Sequence, residues 1–161
     1  MKCGAVGAVV LGSILSAGCF SQTGDSETTT GDCIIEYAVD ESLAKPVRAA
    51  SVEWNKYTIC KLVEARRDGA KAQWWVLSAE PGDGMTGFAN TTHSLVLVTP
   101  NATDDQALRI ALHEFGHVLG IPHQSSGVMC GVDVDPTCPY EGPSALSEED
   151  VEACKAAGAC H

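Results

Sequence analysis

Between residues 113 and 123 the chain places His113, Glu114, His117, Gly120 and His123 in one short run. On an α-helix, residues four apart lie on one face. The imidazoles of His113 and His117 can therefore close on a single metal ion, while Glu114 points toward the same cleft from the next position. Gly120 can leave the helix at positive φ without a Cβ penalty. The chain then turns back, and His123 can supply a third nitrogen from outside the helix. Three neutral imidazoles leave one tetrahedral position open, which is the pattern of a catalytic zinc rather than a structural one. Such a zinc draws the pKa of its bound water toward neutrality, and Glu114 is placed to take that water's proton.

The full HExxHxxGxxH spacing from His113 to His123 resembles the metzincin clan of zinc endopeptidases. Members carry a methionine turn beneath the metal, and here Met129, in Ser126-Gly127-Val128-Met129, follows His123 closely. The resemblance implies that His113, His117 and His123 hold one catalytic zinc. It makes Glu114 the catalytic acid-base and Met129 a structural floor rather than a ligand. It also implies an α+β fold, the metzincin-like (zincin) fold: a twisted five-stranded mixed sheet with an active-site helix, a Met-turn and a C-terminal helix. Within the clan, the short connection from His123 to Met129 is similar to that of the matrixins, the matrix metalloproteinase family. The run from Leu146 to Val151 resembles the start of the matrixin final helix, whose aspartate steadies the mature fold. Asp150 is the match, and helix capping explains the same residue equally well. Two other readings stay open at this point. One is a non-catalytic, zinc-binding envelope lipoprotein that holds a protein partner in its cleft; retention of Glu114 speaks against it. The other is a glutamate third ligand such as Glu141, which His123 makes unnecessary.

The elements that must position these residues can be read outward from them. Thr103 and Gln106 have capping-box spacing, and Asp104 and Asp105 suit the positive end of a helix. Ala107, Leu108, Ala111, Leu112, Phe115, Val118 and Leu119 then give an apolar stripe for packing on a sheet. Upstream, strands are predicted over 34–39, 61–64, 73–77, 88–90 and 94–98, with Trp74 and Trp75 covering opposite faces of the third. A helix is predicted from about Lys45 to Thr58, with Pro46 tolerated in its first turn and Val47, Ala50, Trp54 and Tyr57 on one face. The order of elements resembles the metzincin N-terminal subdomain. In that clan the short fourth strand edges the cleft and pairs with extended substrate, which assigns Gly87, Phe88 and Ala89 to that edge. Asp133 and Asp135 fall in a turn-rich loop. Two alternating acids make a poor calcium cage, so structural calcium stays an open option and a solvent-facing loop is preferred. Ser147 caps a last helix running to about Ala157.

Residues 1–18 read as a signal peptide, with Lys2 as a minimal basic region and an apolar run too short to span a bilayer comfortably. Leu15-Ser16-Ala17-Gly18-Cys19 resembles a bacterial lipobox, which implies lipidation of Cys19 and a cell-envelope location, at the outer membrane of a Gram-negative bacterium. Plain secretion is the alternative. Residues 19–32 are rich in Ser, Thr, Gly and acids and are expected to form a flexible tether. Residues 33–161 form the metallopeptidase-like domain. Of the 8 cysteines, Cys3 leaves with the signal and Cys19 takes lipid, so six remain for three disulfides in an oxidising compartment. Six cysteines allow 15 pairings, and neighbourhood favours Cys33–Cys60, across the starts of two adjacent parallel strands, Cys130–Cys138 and Cys154–Cys160. A net charge of −11 and a pI near 4.7 exclude a phosphate backbone as partner. The expected partners are a protein or peptide substrate and, through lipid, a membrane; the domain is expected to be a monomer.

Overall fold

The computed structural model describes residues 33–65, 72–82, 85–131, 133–138 and 142–161. The signal peptide, Cys19 and the tether read from the sequence lie outside the described residues, as does Glu141. Five strands form one mixed sheet in the order β2-β1-β3-β5-β4: β1 (Ile34–Val39), β2 (Lys61–Glu64), β3 (Trp74–Ser78), β4 (Gly87–Asn90) and β5 (Leu95–Val98). β1 pairs in parallel with β2 and β3, and β3 with β5; β4 alone runs antiparallel, on the outer side of β5. The register places Ile35 beside Leu62, Val39 beside Val76, and Val76 beside Val96. Because side chains alternate along a strand, these residues share the inner face with Tyr37 and Val98. Trp75, Val63 and Phe88 are exposed.

Two helices cover the inner face. α1 (Ala44–Trp54) follows a single 3-10 turn at Glu41–Leu43 and buries Val47, Ala50, Ser51 and Trp54 at helical spacing. Pro46 stands among the first residues of the helix, where the backbone N–H groups have no intrahelical partner to lose. The helix stops at Trp54, four residues short of the sequence expectation. Asn55 explains the stop. Its side chain accepts from the Leu62 N–H and donates to the Leu62 carbonyl, both at 2.8 Å, and so ties the end of α1 to β2. α2 (Asp104–Val118) packs on α1, with the Trp54 indole donating to the Leu112 carbonyl at 2.9 Å. A third helix, α3 (Glu148–Ala156), is capped by Ser147 and buries Asp150 and Cys154.

The paired tryptophans divide as alternation requires, Trp74 packing against the core and Trp75 facing out. Disulfides join Cys33 to Cys60, Cys130 to Cys138 and Cys154 to Cys160. The first bridges the starts of parallel neighbours, since Ile34 and Lys61 are in register. The last three residues return to the segment between α1 and β2: Ile59 N–H donates to the Ala159 carbonyl and His161 N–H to that of Tyr57. No helix among the described residues is long and apolar enough to cross a membrane.

Candidate metal centre and cleft

α2 begins with the capping box read from the sequence: Thr103 Oγ1 accepts from Gln106 N–H at 3.3 Å, and Gln106 Oε1 accepts from Thr103 N–H at 3.0 Å. Ala107, Ala111, Leu112 and Phe115 bury one face, which leaves Ile110, His113, Glu114 and His117 along the wall of a cleft. The helix ends at Gly120, φ +83°. Gly120 N–H donates to the His117 carbonyl and Ile121 N–H to that of Gly116, both at 2.9 Å. That pair of bonds is a Schellman motif, and it needs a residue at ease with left-handed backbone. With Ile121 then buried, the chain is turned back under its own helix and His123 is delivered to the other two histidines.

His113, His117 and His123 bring ligand nitrogens within 4.8 Å of one another, and no other group of three or more metal-ligating side chains gathers this way among the described residues. His123 Nε2 lies 3.2 Å from His113 Nε2 and 3.1 Å from His117 Nε2. The opposite ring nitrogens decide what lies between them. His113 Nδ1 is 2.8 Å from the Val128 carbonyl oxygen, and His117 Nδ1 is 2.9 Å from that of Ile121. A carbonyl can only accept, so each Nδ1 carries the proton and each Nε2 presents a lone pair. His123 Nδ1 faces an acceptor as well, Asp133 Oδ1 at 2.5 Å. With all three rings in their neutral form, three lone pairs converge on one point, and a cation there relieves their mutual repulsion. The donor set fits a divalent transition-metal ion.

Burial reinforces this. It pushes the His113 imidazole down to about 4 and lowers that of His117, with the neighbouring imidazoles pulling the same way and the carbonyl contacts opposing. Both rings stay neutral near pH 7, as ligands must. Glu114 is buried, and burial pushes its carboxyl up to about 8 against the one hydrogen bond that lowers it, from the Ala89 N–H.

Gly87, Phe88 and Ala89 fall on β4 at the edge of the sheet and line the cleft. The Ala89 N–H, one of the edge donors assigned to substrate, is engaged by Glu114 instead. Gly87 lies against the same carboxyl group, since a Cβ there would sit 2.6 Å from Glu114 Oε1. The cleft has a volume of about 660 Å3 and is walled across from α2 by Gly127, Val128 and the Cys130–Cys138 disulfide.

Met129 is fully buried under α2. A Cβ on Gly116 would fall 2.1 Å from Met129 Sδ, so the glycine inside the histidine run is what lets sulfur and helix meet. The methionine loop hangs on Asp150, whose buried carboxyl accepts from the Val128 and Met129 N–H groups, each at 3.0 Å. The same carboxyl completes the α3 capping box with Ser147. Asp150 therefore holds Val128, and Val128 holds His113.

Asp133 and Asp135, read from the sequence as solvent-facing with calcium as an option, do not work together. Asp133 turns to His123, while Asp135 accepts from the N–H and Oγ1 of Thr137. The role of Asp133 against a histidine is one that local spacing did not signal. His93 donates its backbone N–H to the Asn90 side chain in the turn between β4 and β5 and takes no part in the centre.

No protein-family model matches the sequence, and no curated protein matches it. The fold does have a counterpart. The chain is similar to the structure of myroilysin, with a TM-score of 0.55 at 13% identity over 78% of this chain and 92% of that one. A crystal structure of myroilysin also aligns at a TM-score of 0.44 and 16% identity, over 75% of this chain and 59% of that one. The five-stranded mixed sheet with its helices is thus a fold shared with that structure.

Proposed function

We propose that this protein is a zinc-dependent endopeptidase of the metzincin type, matrixin-like in its short His123-to-Met129 connection, acting on proteins outside the cytoplasm. One observation carries the reading: three imidazole Nε2 atoms converge in an open cleft that the buried carboxyl of Glu114 also lines. His113, His117 and His123 would hold the ion. Zinc bound by three imidazoles acidifies water and polarises a carbonyl oxygen. Glu114 takes the proton of the attacking water and passes it to the departing amine. An extended peptide would lie along β4, where Gly87 and Phe88 offer backbone and an apolar wall, and Met129 would support the histidines from below. Three disulfides suit an oxidising compartment. The lipid at Cys19 would hold the domain at the envelope, and the mass of the mature N-terminus tests that part.

The decisive experiment incubates the purified protein with a denatured protein and a peptide library, with and without a chelator, beside Glu114→Ala. Chelator-sensitive cleavage is expected, and Glu114→Ala should keep its zinc while losing cleavage. Zinc without cleavage in the unaltered protein would favour the non-catalytic binding module. Cleavage undiminished in Glu114→Ala would remove the mechanism.

A further inference from the structure

The three histidines are not supported alike. His117 rests on the Ile121 carbonyl inside the Schellman turn, and His113 on the Val128 carbonyl, which Asp150 fixes. His123 lies beyond the helix, and its Nδ1 meets a carboxylate rather than a carbonyl: Asp133 Oδ1, at 2.5 Å. Asp133 belongs to a separate small loop whose ends are joined by Cys130–Cys138. The base of that loop is clamped to the His123 segment by Gln124 N–H to the Met129 carbonyl, 2.7 Å, and Gly131 N–H to the Gln124 carbonyl, 3.1 Å. Val134 and Asp135 N–H groups both donate to the Gly131 carbonyl at 2.9 Å, which winds the loop tightly around that residue. Gly131 leaves the space for the contact: a Cβ there would lie 2.3 Å from His123 Cγ and 2.6 Å from Asp133 Oδ1.

We infer that Asp133 is the positioning residue for His123, presented by a disulfide-closed loop so that Nε2 points into the metal centre. The inference rests on the metal-binding reading above and assigns a role to a residue outside the histidine run. The carboxylate accepts the Nδ1 proton, which selects the tautomer with its lone pair on Nε2 and fixes the plane of the ring. It also makes the imidazole a stronger donor. Outer partners of this kind typically change metal affinity by about 10- to 100-fold when removed. The Asp133 side chain is itself 65% exposed, so its loss strips a ligand of its support without opening the core. Positioning and folding can therefore be measured apart.

The test measures the zinc dissociation constant of the full chain by competition with a chromophoric chelator, together with the melting temperature of the zinc-free protein. Asp133→Ala should weaken zinc binding about 10- to 100-fold while the zinc-free melting temperature stays within experimental error. Asp133→Asn should recover part of the loss, because its amide oxygen can accept the same proton. Gly131→Ala, which pushes ring and carboxylate apart, should weaken zinc binding in the same direction. If the unaltered protein binds zinc tightly and Asp133→Ala binds it equally well, the inference fails while the metal-binding reading stands. If the unaltered protein binds no zinc, that reading falls and takes the inference with it.

Discussion

Replacing Asp150 by alanine should be among the most damaging single changes available outside the cleft. The side chain is fully buried and accepts four hydrogen bonds: from the N–H groups of Val128 and Met129 at 3.0 Å, and from the N–H and Oγ of Ser147 at 2.8 Å. Alanine leaves the two loop N–H groups without a partner, and each stranded buried donor costs about 1–3 kcal/mol. Loss of the α3 capping box adds about 1 kcal/mol. Together these predict a destabilisation of roughly 3–7 kcal/mol, large for any point change. For a domain of this length the melting temperature should fall by roughly 10–20 °C. Asp150→Asn should come close to the alanine variant, because one of its two terminal atoms is a donor aimed at donors. Denaturant unfolding of the zinc-free proteins gives the number directly. A second readout follows from geometry: Val128 carries the carbonyl that holds His113, so zinc affinity should drop along with stability. A stability loss below 1 kcal/mol for Asp150→Ala would mean that water replaces the carboxyl at no cost. The reasoning about the methionine loop would then be wrong.

Other expectations can be checked on the same material. With metal removed by chelator, Glu114 retains its proton to about pH 8 in the folded state, whereas an unfolded carboxyl loses it near 4.3. Between those limits the folded state binds the extra proton, so stability falls as pH rises. His113, held down to about 4, works the other way at acid pH: the unfolded ring binds the extra proton up to its ordinary range, and stability rises with pH there. Subtracting Glu114→Gln from the unaltered protein isolates the first effect. The difference should grow with pH through the neutral range to a few kcal/mol; a flat difference would contradict the burial of that carboxyl. Gly116→Ala forces Met129 away from α2 and should cost about 1–3 kcal/mol, with a matching loss of zinc affinity. Unchanged stability and affinity would show that the contact between sulfur and helix is not tight.

The sequence spoke most clearly where a period or a fixed spacing carries information. The stripe from Ala107 to Leu119, the capping pairs at Thr103 and Ser147 and the apolar run of β5 all reflect local rules. So does Gly120, whose left-handed φ is needed to bring His123 round. The disulfides followed from neighbourhood, because parallel strands align their starts. What could not be read depends on contacts between segments far apart in the chain. The end of α1 was set by Asn55 reaching β2 rather than by the apolar face that continues to Tyr57. The partner of His123 comes from the next loop, where an isolated Asp looks like any solvated acid. Likewise, the bond between Glu114 and Ala89 appears only when β4 is laid along α2. Gly116 and Gly131 carry no local signature at all; each is needed because another side chain occupies the place of its Cβ.

The bridge from Cys33 to Cys60 also determines how the domain answers a mechanical load. A pull transmitted along the polypeptide into Cys33 does not reach β1 alone, since the covalent link shares it at once with the neighbouring β2. Peeling a single strand off the sheet breaks its hydrogen bonds one after another, whereas dragging two coupled strands strains many together. Tension from upstream is therefore spread through the far side of the sheet, where β2 is the outermost strand, while β4 and the metal centre lie at the other border.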